Sequence, residues 1–204
     1  MREKFITFEG IDGAGKSTHL RWLARWLRRR GVPVKTTREP GGTAAGEKLR
    51  RLVLESRRGL HPETETLLMF AARREHLDKV VIPSLKRGYW VLCDRFTDAT
   101  YAYQSAGSGV AWEKVAMLER WVHRRLQPDL TLLFDVSLAV GRKRAGRRHR
   151  QDRFEREKEA YYRRVRSAYL RRARLHPGRV HVIDANAGLS EVHETLEQIM
   201  ISYC

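Results

Sequence analysis

An α/β fold, a doubly wound parallel sheet of five strands with helices on both faces, is the architecture this 204-residue sequence predicts. Three observations predict it. Short apolar runs alternate along the chain with longer segments of helical period. The first run, Phe5–Glu9, passes directly into the glycine-rich turn Gly10-Ile11-Asp12-Gly13-Ala14-Gly15-Lys16-Ser17. A helix follows from Thr18, with Leu20, Leu23, Ala24 and Leu27 spaced at about 3.6 residues.

The remaining elements follow in order. Strands are predicted at Val34–Thr37, Trp90–Cys93, Thr131–Phe134 and Val180–Ile183. Helices are predicted at about Ala45–Ser56, Glu63–Arg87, Trp112–Leu126, Arg153–Arg174 and Ser190–Ser202. Pro83 falls inside the second of these, where it kinks the helix or resets its start. Gly107-Ser108-Gly109 and the region of Gly146 read as mobile loops. Residues 1–204 then form a single domain with a basic lid at about 142–155.

Composition narrows the class. The net charge of +17 favours anionic partners, either nucleotides or nucleic acid or a membrane surface. No apolar stretch approaches the ~20 residues of a membrane span. The first strand begins within a few residues, so no signal peptide is expected. Cys93 lies in an apolar run and Cys204 is the last residue, so no structural disulfide is expected and a cytoplasmic setting fits. Arg28-Arg29-Arg30 before Gly31 reads as a basic helix C-terminus complementing the macrodipole.

The turn after the first strand carries its own chemistry. Gly10, Ile11, Asp12, Gly13, Ala14, Gly15, Lys16, Ser17 and Thr18 form a complete phosphate-binding loop for a nucleoside triphosphate such as ATP. Its backbone N–H groups wrap the phosphates, Lys16 reaches the terminal ones, and Ser17 ligates Mg²⁺. The helix that follows aims its N-terminal dipole at the same anions.

Three later segments bear on the phosphate acceptor. Arg38, in Arg38-Glu39-Pro40-Gly41-Gly42-Thr43, stands at the carboxyl edge of the sheet, where it can fork a phosphate, although Pro and Gly equally suit a plain turn. Phe70 and Arg74 lie one helical turn apart and share a face, as a base-stacking ring and an edge-reading cation would. On spacing alone the plainer reading wins, with Phe70 in the core and Arg74 on the surface. Asp94-Arg95-Phe96 ends an apolar strand, placing Asp94 to hold Mg²⁺ and Arg95 to bridge phosphates, or else forming a structural ion pair.

Taken together, Gly10–Thr18, Arg38–Thr43, Leu67–Arg74, Asp94–Gln104 and Asp152–Glu155 resemble the thymidylate kinases, which phosphorylate dTMP to dTDP. The resemblance runs from Phe5 to about Asp184 and implies a P-loop nucleoside monophosphate kinase fold and a homodimer. It implies that Arg38 and Arg95 grip the dTMP phosphate, that Phe70 stacks on thymine and that Arg74 donates to its exocyclic oxygen. It further implies that Tyr103 presses on the sugar, that Gln104 and Thr100 contact the base, and that Asp12 lies near the sugar 3′-hydroxyl. Lys16, Asp94 and Arg95 would then serve catalysis, with lid arginines Arg148 and Arg153.

One branch of the family carries a basic residue where this chain has Gly13, and the other supplies that charge from the lid. Departures from the pattern are Ala99 in place of a small hydroxyl residue and Arg73 where an acidic or small residue is common. Two other readings compete: a kinase of different base preference, and a nucleic-acid-binding ATPase suggested by the charge. No nucleic-acid-binding motif accompanies that charge, so a nucleic-acid partner is not expected.

Overall fold

The computed structural model describes residues 3–56, 59–146 and 158–203. Five parallel strands, β1 (Phe5–Glu9), β2 (Val34–Arg38), β3 (Trp90–Asp94), β4 (Leu130–Asp135) and β5 (Val180–Asp184), form one sheet in the order β2-β3-β1-β4-β5. The three central strands are covered on both faces, so their side chains read as continuous apolar runs rather than alternating ones. Edge strand β2 is largely exposed beyond Val34. Phe5, Phe8, Trp90 and Phe134 are among the largest fully buried side chains, each contributing about 1.5–3 kcal/mol by burial.

Every predicted strand is present, and the predicted helices are found with shifted ends. Helix α1 (Lys16–Arg29) buries Leu20, Leu23, Ala24 and Leu27, together with Trp26. Arg28 and Arg29 occupy its last turn, and Gly31 follows at φ 77°. Helix α2 (Ala44–Glu55) is capped by Thr43, whose hydroxyl accepts from the Gly46 N–H. The long third helix divides. Helix α3 (Pro62–His76) widens into a π-helical segment (Leu77–Val81) before α4 (Ile82–Lys86), in whose first turn Pro83 sits. The Ile82 N–H bonds back to the Leu77 carbonyl, so the extra residue is taken up just before the ring that has no N–H to give.

Beyond β3 the chain makes α5 (Thr97–Thr100) and a second π-helical segment (Tyr101–Gly107), neither of which was expected. The reading of Gly107-Ser108-Gly109 as a mobile loop is therefore corrected. Ser108, Gly109 and Val110 donate their N–H groups to the carbonyls of Tyr103, Ser105 and Gln104. The Tyr161 ring lies so close over Gly107 that a Cβ there would meet it at 2.7 Å. Only a residue without a side chain fits beneath that ring.

Helices α6 (Trp112–His123), α7 (Leu138–Ala145), α8 (Glu159–Leu175) and α9 (Leu189–Tyr203) complete the layers. Of the stretch read as a lid, Arg142–Ala145 belong to α7 and Gly146 caps it. Residues 147–157 lie outside the described residues, and with them Arg148 and Arg153. No helix among the described residues is long and apolar enough to cross a membrane.

Candidate active site

The carboxyl ends of β1, β2 and β3 open onto one cavity of about 250 Å³. Asp12, Gly13, Gly15, Lys16, Ser17, Arg38, Asp94, Arg95, Thr100, Tyr103 and Gln104 all line it. Segments distant in sequence meet there because parallel strands bring their following turns to one edge.

The β1–α1 turn supplies the first wall. The Lys16 Nζ donates to the carbonyls of Gly10 and Ile11, each at 3.0 Å. Burial pushes its pKa down to about 8, with the Arg95 charge acting in the same direction. Gly13, at φ 79°, packs its backbone so tightly on the Gly141 carbonyl that a Cβ would overlap it. A basic side chain at this position is sterically excluded.

At the entrance to α1 the Ser17 hydroxyl donates to the Asp94 Oδ2 at 2.8 Å. A hydroxyl and a carboxylate side by side, beside a phosphate-binding turn, are the hard oxygens that suit Mg²⁺. The neighbouring Arg38 pairs with Glu47 of α2, its Nη2 lying 2.9 and 3.0 Å from the two carboxylate oxygens. Because that pair is on the surface, it is weak enough to be exchanged for a ligand phosphate.

Arg95 is held far more firmly. Its backbone is left-handed, at φ 68°, an uncommon state for a residue other than glycine. The Phe96 N–H that follows donates to the Glu9 Oε1 at 2.6 Å, anchoring the turn. The Arg95 Nη2 donates to Asp12 at 2.6 Å and to the Tyr103 hydroxyl at 3.0 Å, while Nη1 reaches the Gly10 carbonyl and the Tyr169 hydroxyl. Burial alone would raise the Asp12 pKa, but Arg95 and then Lys16 outweigh it and hold the carboxyl below its usual range. Glu9 goes the other way: burial, reinforced by the Asp98 charge, pushes it up to about 8.

The base-reading pair expected on α3 is displaced by one residue. Phe70 and Arg74 do not line the cavity; Met69 and Arg73 do. Phe70 is buried among Phe5, Leu77 and Phe96. Arg74 turns outward to Asp78 and donates to the Val122 carbonyl at 2.8 Å. Both pairs are one helical turn apart, so spacing alone could not decide which faces inward. Arg73 is fully buried against Glu39, its Nε 2.7 Å from Oε2, and its Nη2 donates to Thr100 at 3.0 Å. Phe70 backs it, with the Arg73 guanidinium 4.7 Å from the ring centroid. Arg73 is thus the cation that α3 presents to the cavity.

Sequence reading also missed Glu9, Glu39, Glu65 and Tyr169. Each is polar and buried, and each braces a residue that faces the cavity. Glu9 could have been noticed as a carboxylate closing an otherwise apolar strand. Tyr169 lies in α8, remote in sequence, and carries no local signal.

Comparison with known proteins points to one family. The thymidylate kinase family model matches residues 8–196. A thymidylate kinase of Nitrosospira multiformis is 58% identical over 198 residues, covering 97% of each chain. That of Nitrosomonas europaea is 57% identical over 199 residues, covering 98% of this chain and 93% of its own. The crystal structure of thymidylate kinase from Ehrlichia chaffeensis superposes with a TM-score of 0.79 at 36% identity, covering 98% of this chain and 99% of that one.

Proposed function

Because the chain belongs to the thymidylate kinase family and phosphorylates dTMP to dTDP with ATP on the way to dTTP, we propose an assignment of its residues to that transfer. The observation that carries it is the pairing of β2 with β3, which sets Arg38 level with Asp94 and so brings Arg38 and Arg95 to adjacent strand tips. Those two guanidinium groups line one cavity with Lys16, which shares the Gly10 carbonyl with Arg95, a cluster of cations suited to two phosphoryl groups about to exchange.

The β1–α1 turn, from Gly10 to Thr18, cradles the ATP phosphates, and Lys16 balances the charge on the terminal ones. Mg²⁺ held by Ser17 and Asp94 supplies charge neutralisation on the ATP oxygens when bound. Arg38 releases Glu47 and, with Arg95, takes the dTMP phosphate. Met69 forms the apolar wall against the base, Arg73 donates to its carbonyl oxygen, and Thr100 and Gln104 complete that wall. Tyr103 and Asp12 border the sugar.

A dTMP phosphate oxygen attacks the γ-phosphorus in line, the bond to the bridging oxygen breaks, and ADP leaves with that electron pair. The nucleophile is already an anion, so no general base is required. Arg95 spans attacking and transferred groups and stabilises charge on both. Gly13 has no room for a cation, and the further charge falls to the arginines after Gly141, with Arg148 and Arg153 the candidates from sequence.

The protein acts as a homodimer through α2, α3 and α6, where Leu52, Leu67, Met117 and Trp121 are exposed. Its buried free thiol, Cys93, suits a reducing cytosol.

Steady-state kinetics with dTMP, dUMP, dCMP, dGMP and thymidine as acceptors test the assignment. The highest kcat/KM is expected for dTMP. A preference for thymidine over dTMP would leave Arg38 and Arg95 without a phosphate and would sink it.

A further inference from the structure

Two polar side chains line the base end of the cavity, and each is held by a buried carboxylate. Arg73 is held by Glu39, and its Nη1 is buried with no hydrogen-bond partner among the described residues. Gln104 donates from Nε2 to the Glu65 Oε1 at 2.8 Å. Glu65 is 0% exposed and Gln104 only 3%, yet Gln104 lines the cavity.

A carboxamide is two-ended. Turning it by half a revolution exchanges a donor for an acceptor at nearly the same place. Here the Glu65 Oε1 accepts from the Gln104 Nε2, so Glu65 holds the NH₂ end and the carbonyl oxygen is left for the cavity.

We propose that Glu65 is a positioning residue that determines base specificity, by locking the Gln104 amide with its acceptor toward the nucleotide. An acceptor at Gln104 beside a donor at Arg73 matches a base edge that carries N–H next to a carbonyl oxygen, as thymine does. It opposes cytosine, whose ring nitrogen presents a lone pair and whose neighbouring group is an amine. Glu65 itself never touches the nucleotide. The inference rests on the assignment of this cavity to dTMP.

The test compares dTMP with 5-methyl-dCMP, which keeps the methyl, sugar and phosphate and alters only that edge. The ratio of their kcat/KM values is measured for wild type, Glu65→Gln, Gln104→Ala and the double variant. Both acceptors are run on one preparation, so the ratio does not depend on the active fraction. Glu65→Gln offers Gln104 a donor as well as an acceptor and frees the flip. The ratio is expected to fall about tenfold, through the acceptor KM, while the ATP KM holds. In the Gln104→Ala background the same change is expected to do nothing more.

An unchanged ratio in Glu65→Gln, or an equal fall in both backgrounds, overturns the proposal. If Glu65→Gln does not fold, Glu65→Asp, which withdraws the carboxylate by one methylene, takes its place under the same criteria. Wild-type enzyme that used the two acceptors equally would instead overturn the base-reading assignment on which the proposal rests.

Discussion

Arg73 and Glu39 meet at 2.7 Å with their side chains 3% and 4% exposed, an ion pair almost wholly removed from water. Such a pair stabilises little by itself but becomes costly to break, because the survivor is left charged and unsolvated. Burial would raise the Glu39 pKa, yet Arg73 and then His76, whose Nδ1 lies 2.9 Å from the other carboxylate oxygen, hold it low. The Thr37 hydroxyl closes the chain at the His76 Nε2, 2.6 Å away. Strand β2 and helix α3 are thereby pinned together at the point where α3 presents its inward cation.

Arg73 and Arg74 should therefore behave as opposites although they are neighbours. Arg73→Met is expected to raise the dTMP KM by about 10–100-fold and to lower stability by about 3–5 kcal/mol as Glu39 loses its partner. Arg74→Met removes a half-exposed pair with Asp78 and one hydrogen bond to the Val122 carbonyl, and should change the dTMP KM by less than about twofold and stability by about 1–2 kcal/mol. Acceptor kinetics and urea denaturation of the two variants decide it. The reverse ranking would restore the reading in which Arg74 faces the nucleotide.

This pair also marks how far the sequence could be read. The sheet, the phosphate-binding turn and the strand-tip residues Arg38, Asp94 and Arg95 were legible because each is written locally, as an apolar run ending in glycines or charges. The α3 face was not, because Met69 with Arg73 and Phe70 with Arg74 share one spacing, and only the position of Glu39 on another element separates them. The second π-helical segment was hidden for a related reason: it packs under Tyr161 of a helix remote in sequence, whereas the first ends just before Pro83, which is legible locally. Part of the basic excess proves internal, with Arg172 and Arg179 both spent on the buried Asp98.

Lys16 sets an alkaline limit on activity. With its pKa lowered to about 8 by burial, the ammonium loses its proton above that pH and can no longer balance the ATP phosphates. The kcat/KM for ATP is expected to decline as pH rises through about 8, whereas any activity retained by Lys16→Arg should not share that decline. A wild-type profile flat to pH 9.5 would contradict it.

Glu9 acts on stability in the opposite sense to most carboxylates. Its pKa rises on folding from an ordinary 4.5 to about 8, so the folded protein binds the extra proton between those values. The associated stability is fully present below pH 4.5 and is lost as pH climbs through about 8. Glu9→Gln, which keeps an acceptor for the Phe96 N–H, removes this dependence. Denaturation at about pH 5.5 and 8 should show the variant gaining on wild type at the higher pH. A gap that shrank instead would reverse the sign assigned to Glu9.

Gly13 tests the proposal that the further catalytic charge comes from outside the β1–α1 turn. A side chain at φ 79° is strained before any contact is counted, and here it also meets the backbone carbonyl of Gly141, which cannot rotate away. Gly13→Arg is expected to lower stability by more than about 2 kcal/mol and to reduce kcat, even though it adds a cation beside the phosphates. A stable Gly13→Arg enzyme with undiminished kcat would show that the β1–α1 turn can move away from α7.

Helix α6 divides its apolar residues between two destinations. Leu118 and Val122 are buried inside the fold, whereas Met117 and Trp121, one turn apart on the same helix, are 56% and 76% exposed. Covering most of one indole at ~25 cal/mol per Å² contributes about 3–5 kcal/mol, so two copies of Trp121 would dominate a symmetric contact. Trp121→Glu places like charges where those indoles would meet and is expected to give a folded monomer by sedimentation equilibrium, at concentrations where wild type is expected to sediment as a dimer. Unfolding free energy extrapolated for the monomer should change by less than ~1 kcal/mol, since the side chain does not enter the core. A variant that kept the mass of a dimer would move the subunit contact away from α6.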